Sequence, residues 1–240
     1  MSEFWFESNK VYYDCPEPQT YHCIICHKPS PCLDMFQDYS NKLFLSDKNV
    51  PGTIDVSSPY DSAIYGELPF YSWIAQNLRP QDWVCVQHYR RKLPLSIGLT
   101  LPAPIQMNGS LAQQMAYYHS PVLSDAINKT LTPYEQVLFN TPKQPLYAYN
   151  IMQAPVEFIQ KQWLPYCLNK INLLIQVLGK NYKPDASFFE PREGKRTDEW
   201  YQNRIGGFAL ERYHTLFWLQ NAQLISQIKE IKLLEPDQKI

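Results

Sequence analysis

The stretch that most constrains this chain runs over residues 65–91, YGELPFYSWIAQNLRPQDWVCVQHYRR. It holds three elements without a break. Leu68, Tyr71, Ile74 and Leu78 recur at helical spacing, which predicts a short helix with one buried face. Arg79-Pro80-Gln81-Asp82 follows as a turn, since proline fixes its own φ and disfavours helix in the residue before it. Residues 83–86 are an apolar run of β-type residues, read as a buried strand, and the run closes on His88-Tyr89-Arg90-Arg91. Two arginines closing a buried strand fit an anion site, because ligands in open α/β sheets bind outside the carboxyl ends of strands. An exposed basic turn fits the same spacing, and the spacing does not choose between the two.

Length and composition set the frame around this stretch. A chain of 240 residues can bury a substantial core, and 45% apolar against 19% charged residues describes an ordinary globular protein. A net charge of −1 exerts no global pull on nucleic acid, so anion binding has to come from local clusters such as Arg90 and Arg91. The 17 tyrosines suit sugar stacking, but half-buried packing explains them more economically. No run is long and apolar enough to span a bilayer, and residues 1–10 lack the basic start and apolar core of a signal peptide. The expected location is the cytoplasm, with reduced cysteines.

The rest of the chain reads as one domain over residues 1–240, with an irregular lead-in over 1–20 and a C-terminal extension over 222–240. A first strand is expected over residues 21–26, and a loop forced by Pro29 and Pro31. Residues 33–62 show no clean period, and residues 93–104 are punctuated by proline and read as extended. A helix is expected over 110–128 with Leu111, Met115 and Tyr118 inward, and a strand over 146–152. Pro155 suits the first turn of a long helix that Gly179 can close, with Pro165 predicting a kink or break inside it. Residues 180–204 read as a charged surface loop. Gly206-Gly207 then precedes a last helix over 208–221.

Among chemical constellations, Cys15, His22, Cys23, Cys26, His27 and Cys32 tempt a zinc reading. Cys23 and Cys26 lie in a strand-like run, where they point to opposite faces, and no second Cys-x-x-Cys occurs. Free buried thiols are the expectation. P-loop, GxGxxG and GxSxG signatures are absent. The acids are scattered, with Glu67 on the first helix and Glu211 near the start of the last.

Taken together, several motifs resemble a bacterial polysaccharide-synthesis family catalogued as domain of unknown function 4422, which includes the galactofuranosyltransferases of glycosyltransferase family 111. They are His27-Lys28-Pro29, Tyr65-Gly66-Glu67-Leu68 with Tyr71 and Trp73, His88-Tyr89-Arg90-Arg91, Tyr149-Asn150-Ile151-Met152, Arg204, Gly207-Phe208 with Glu211-Arg212, and Trp218-Leu219. The resemblance covers residues 20–221. The sequence departs from it at Asp55-Val56-Ser57-Ser58-Pro59, where the family carries Asp-Asn-Ile-Ser, and at Gly66 and Pro69, where it carries cysteine and threonine.

The resemblance implies a GT-A-like α/β single domain with a central mixed sheet flanked by helices. It implies transfer of a sugar, galactofuranose from UDP-galactofuranose with inversion, to a growing capsular or O-antigen polysaccharide. The alternatives are a pyranose nucleotide donor on the same fold, or a non-catalytic carbohydrate-binding protein. The expected partners are the nucleotide-sugar donor and a glycan acceptor, lipid-linked at the inner face of the cytoplasmic membrane with peripheral association there. Nucleic acid is not among them, and the oligomeric state stays open. No cofactor and no metal are expected: the strand end offers Arg90 and Arg91 rather than a carboxylate pair, and fixed guanidinium charges can stabilise a leaving diphosphate. Nucleotide-sugar binding is assigned on this basis to His27, Lys28, Tyr65, His88, Tyr89, Arg90, Arg91, Asn150 and Arg212. Glu211 is the expected catalytic base, and Glu67 is second to it.

Overall fold

The structure is a computed structural model that describes residues 17–28, 30–36, 39–56, 62–179 and 182–234. Most of the lead-in, Pro29, residues 57–61 and Cys15 lie outside the described residues, as does the side chain of Cys32. In chain order the first half comprises β1 (Thr20–Ile25), β2 (Lys42–Ser46), β3 (Ile54–Asp55), α1 (Ser62–Tyr65), α2 (Leu68–Asn77), β4 (Trp83–His88), β5 (Arg91–Lys92) and β6 (Thr100–Pro102). The second half comprises α3 (Leu111–Tyr118), α4 (Pro121–Lys129), α5 (Pro133–Asn140), β7 (Met152–Pro155), α6 (Val156–Phe158), a π turn (Ile159–Trp163), α7 (Leu164–Leu178), α8 (Ala186–Phe189), α9 (Glu199–Gln202), α10 (Ile205–Gln220), β8 (Gln227–Lys229) and β9 (Lys232–Leu233).

The strands form one mixed sheet in the order β3-β2-β1-β4-β7-β6-β8, with β5 and β9 appended beside β4. β3, β2, β1 and β4 run parallel, with Ile25 opposite Leu45 on one side and His88 on the other. β7 lies antiparallel to β4, pairing Met152 with Val86. The carboxyl ends of β1, β2 and β4 therefore point to the same edge of the sheet. The side-chain period of two divides the strand residues between the two faces of the sheet. Cys23, Ile25, Val84 and Val86 pack into the large core with α2, α7 and α10, whereas Ile24 and Cys26 join Phe36 and Tyr89, and Cys85 joins Leu93 and Ile151. Cys23 and Cys26 are accordingly free, buried and on opposite faces, and burial pushes the Cys26 thiol up to about 12 and that of Cys23 higher still.

The central stretch folds as expected, as helix, turn and strand. Asp82 is more than a turn residue: it is buried, accepts hydrogen bonds from the Arg79 side chain and from the Gln19 backbone N–H, and its carbonyl accepts from Val156. Elsewhere the structure corrects the expectations. The helix over 110–128 is two helices, because Ser120 caps α4 and Pro121 starts it, and Tyr118 is exposed rather than inward. The strand at 146–152 begins only at Met152, since Tyr149 and Asn150 both have positive φ. Pro155 closes β7 and is the N-cap of the helical run that starts at Val156, one position ahead of its first turn. At Pro165 the helical run continues, but its regular α geometry is interrupted just ahead of the proline. The turn ahead of it widens to π geometry, with the Leu164 N–H bonding the Ile159 carbonyl, and the helix runs on to Gly179 at φ 88°. The segment 180–204 is no plain surface loop, because it holds α8 and α9 and buries Phe188, Lys195 and Gln202. Its Lys195 ammonium donates to the carbonyls of His119 and Ser187.

Candidate functional site

Gly206 and Gly207 lie inside the first turn of α10, not ahead of it. A Cβ on Gly206 would stand 2.0 Å from the Ile64 carbonyl oxygen, so the glycine lets α10 press directly on the backbone of α1. The close approach serves helix packing. It also places Glu211 in the second turn rather than the first, and it brings Arg204, at the helix start, against Glu67.

Glu67 occupies the N-cap position of α2 yet makes no capping hydrogen bond. Its carboxylate turns inward instead. Oε2 accepts from Asn150 Nδ2 at 2.7 Å. Oε1 stands 3.6 Å from His88 Nε2 and 3.8 Å from a guanidinium nitrogen of Arg204. Glu67 and His88 are both buried. Burial alone would raise the carboxyl pKa, but the facing His88 imidazole with the charges of Arg204 and His27 outweighs it and holds Glu67 at about 2. Burial takes His88 down to about 4, against the pull of Glu67. At neutral pH the pair is therefore a carboxylate facing a neutral imidazole.

His27 follows β1 and completes the group. Its ring lies 5.7 Å from that of His88 and meets Phe70 edge-on. Its Nδ1 is 3.5 Å from Asp47, the residue just after β2. The ligand atoms of His27, Glu67 and His88 all lie within 4.8 Å of one another, the spacing of a group that could hold a metal ion. The carboxyl ends of β1, β2 and β4 thus deliver His27, Asp47 and His88 to one place, as ligand sites in open α/β sheets require.

Asn150 belongs to a strained pair. Tyr149 at φ 73° and Asn150 at φ 51° are consecutive left-handed residues, a conformation that costs of order 1–3 kcal/mol at a non-glycine position and persists only when its surroundings fix it. Here they do. The Tyr71 hydroxyl donates to the Asn150 carbonyl at 2.5 Å, and Asn150 donates to Glu67. The Tyr149 N–H donates to Glu211 Oε1 at 3.0 Å, and Arg91 lies 4.0 Å from the centre of the Tyr149 ring. The two candidate acids, far apart in sequence, are tied to adjacent residues of one strained turn. Glu211 Oε2 also accepts from Arg212 at 3.0 Å, and the Glu211 side chain is 22% exposed.

The remaining residues expected to bind donor divide. His88 and Arg91 face this cluster, and Arg91 is close enough to depress the His88 pKa. Arg90 is half-buried, 5.3 Å from the Tyr89 ring. Tyr89 itself packs in the small core on the other face of the sheet. Lys28 is exposed. The Tyr65 hydroxyl donates to Asn172 of α7. Arg212 is buried, donates to Gln114, Phe208 and Glu211, and positions Glu211 rather than presenting a free guanidinium. The residue that sequence reading missed is Asp47. Its strand is five residues long and half-buried through its first three, so it carries too little alternation to be seen.

Comparison with known proteins supports the fold. A solved structure described as the apo form of the bifunctional glycosyltransferase WbbM superimposes with a TM-score of 0.60 over 90% of this chain, at 15% identity. The match takes in 45% of that longer chain. The chain thus shares its α/β architecture, a central mixed sheet flanked by helices, with a glycosyltransferase of known structure. No family model and no curated protein matches the sequence, so the motif resemblance rests on its own residues. Among the described residues no helix is long and apolar enough to cross a membrane.

Proposed function

We propose that this chain is a glycosyltransferase that moves a sugar from a nucleoside diphosphate to a glycan acceptor. The observation that carries the reading is the joining of Glu67 and Glu211 through Tyr149 and Asn150 beside His88 and Arg91, at the carboxyl ends of the parallel strands. The fold shared with WbbM, itself described as a glycosyltransferase, favours the same class of chemistry.

In this reading Arg90 and Arg91 receive the donor diphosphate, and their charge stabilises it as it leaves. The acceptor hydroxyl oxygen attacks the anomeric carbon from the opposite side. The carbon–oxygen bond to the diphosphate breaks, its electron pair leaves with the nucleotide, and the hydroxyl proton passes to Glu211. The configuration inverts. Glu211 suits the role because it is partly exposed, and its two carboxylate oxygens offer about four acceptor sites, of which Tyr149 and Arg212 use two. Glu67 is fully enclosed and held ionised by its neighbours, so it serves to position Asn150 and His88. UDP-galactofuranose is the proposed donor and a lipid-linked cell-surface glycan the proposed acceptor.

A panel of nucleotide sugars, UDP-galactofuranose and the common UDP-pyranoses among them, tests the reading by calorimetry and by nucleotide release in the presence of acceptor glycans. Binding confined to one UDP-sugar is the expected result. Arg90→Ala and Arg91→Ala should each weaken UDP binding by roughly 10–100-fold, as loss of a charge-assisted contact of about 1.5–3 kcal/mol requires, with melting temperature retained. Parental UDP affinity in both variants would remove the diphosphate from this strand end.

A further inference from the structure

We propose that His27, Glu67 and His88 form a binding site for one divalent transition-metal ion. Two imidazoles and one carboxylate are a recurrent ligand set for zinc, manganese and iron, whereas magnesium and calcium prefer all-oxygen surroundings. The spacing is close to what an ion needs. Donor atoms about 2.1 Å from a tetrahedral ion lie roughly 3.4 Å from each other. The His88–Glu67 separation of 3.6 Å nearly meets this already, and no pair in the group exceeds 4.8 Å. His27 is the one half-buried member, so a small swing of its ring closes the set.

The unmet hydrogen-bonding capacity of the group points the same way. Nε2 of His27 and Nε2 of His88 are both buried without a hydrogen-bond partner. Orphaned polar nitrogens in a core are rare, and a bound ion is one of the few arrangements that satisfies two at once. The surrounding contacts are also those of a metal centre. Asp47 stands 3.5 Å from Nδ1 of His27, in the place of the carboxylate that orients a metal-bound histidine. Asn150 holds one oxygen of Glu67 and leaves the other turned to His88. Arg204, half-buried and 3.8 Å from that oxygen, is the cation that a metal ion would displace. Three protein ligands leave at least one coordination position open.

This site is not the cysteine cluster that the sequence suggests for zinc, and it departs from the expectation that the chain holds no metal. It does not depend on the transferase reading. Metal binding and UDP binding can each succeed or fail alone, provided UDP binding is also measured in the presence of a chelator.

The experiment uses the full chain, free of any histidine tag and stripped of metal. Cobalt(II) is added while the visible absorption of the bound ion is followed, and zinc(II) binding is measured by calorimetry. One equivalent of each should bind saturably and raise the melting temperature. His27→Ala and His88→Ala should each weaken binding by about 10-fold or more, and Asp47→Asn by about 10–100-fold. Circular dichroism confirms that each variant is folded. Because His27 sits at the rim of the group, its variant remains informative even if His88→Ala fails to fold. Absence of saturable binding up to millimolar metal overturns the proposal, and so does parental affinity in folded His27→Ala.

Discussion

At Tyr149 and Asn150 the backbone stores strain where two carboxylates are anchored. Asn150→Gly separates the anchor from the strain, because glycine accepts φ 51° at no steric cost but cannot donate to Glu67. The loss should be about 2 kcal/mol, the value of a hydrogen bond to a buried charge, read as a lower urea midpoint with an unchanged slope. Glu211→Gln tests the base. It keeps size and polarity, and its single amide oxygen can still accept from one of the two donors, Tyr149 or Arg212. Turnover should fall about 10²–10⁴-fold while UDP binding and melting temperature hold. A Glu211→Gln variant with near-parental turnover would move the proton elsewhere. At this scale the sequence made the participants legible but not their partners. Glu67, His88, Arg91, Asn150 and Glu211 were all visible in motifs. That Asn150 binds Glu67 while its neighbour binds Glu211 depends on two positive φ angles, which no periodicity predicts.

Among the elements, α10 is set by one glycine. Gly206→Ala would drive a Cβ into the Ile64 carbonyl oxygen, and that atom is backbone and cannot rotate away. The expected cost is about 3 kcal/mol or more, roughly 6–12 °C in melting temperature for a domain of this size. Gly207→Ala is the control. Its Cβ would meet only an Arg204 nitrogen at 3.9 Å, and the exchange should be neutral or stabilising by up to about 1 kcal/mol through helix propensity. Equal effects of the two would refute the packing account. The elements that sequence reading found are those with strong period and clear ends, such as α2, β4 and α7. Helix α5 escaped it although Thr132-Pro133-Tyr134-Glu135 spells a capping box with proline at the first position, and the structure shows both box hydrogen bonds. β8 and β9 escaped because each is three residues or fewer and leans on a partner distant in sequence. The π turn escaped because Pro165 signals only a missing N–H, and a helix can absorb that by widening a turn.

Across the whole molecule, Glu135 ties the helical layer together. Its carboxylate accepts from Lys170 at 2.5 Å, from the Tyr166 hydroxyl at 2.6 Å and from the Thr132 N–H at 2.8 Å, so α5 and α7 meet on one buried charge. Burial opposes ionisation there, but Lys170, Tyr166 and Thr132 prevail and hold the pKa at about 2, below the ordinary 4.5. A depressed carboxyl pKa contributes stability in full above the unfolded value and loses it as pH falls towards the folded one. Stability should therefore decline between about pH 4.5 and pH 2, and Glu135→Gln should flatten part of that decline while lowering stability at pH 7. Urea midpoints measured across this range would show it, and an unaltered acid limb in the variant would exclude Glu135 as a source.

The pairing of β6 with β8 has a consequence in time. Thr100 lies beside Gln227 in a parallel pair, and the N–H groups of Ser226 and Gln227 both donate to the Leu99 carbonyl. On a ribosome the segment around Thr100 emerges long before the segment that covers it, at synthesis rates of about 5–20 residues per second. For those seconds the newly made sheet has an uncapped margin able to pair with any passing strand. Synthesis of the segment from Ser226 onward therefore covers the sheet margin as well as lengthening the chain, and a ribosome that stalls short of Ser226 would release a chain prone to aggregate.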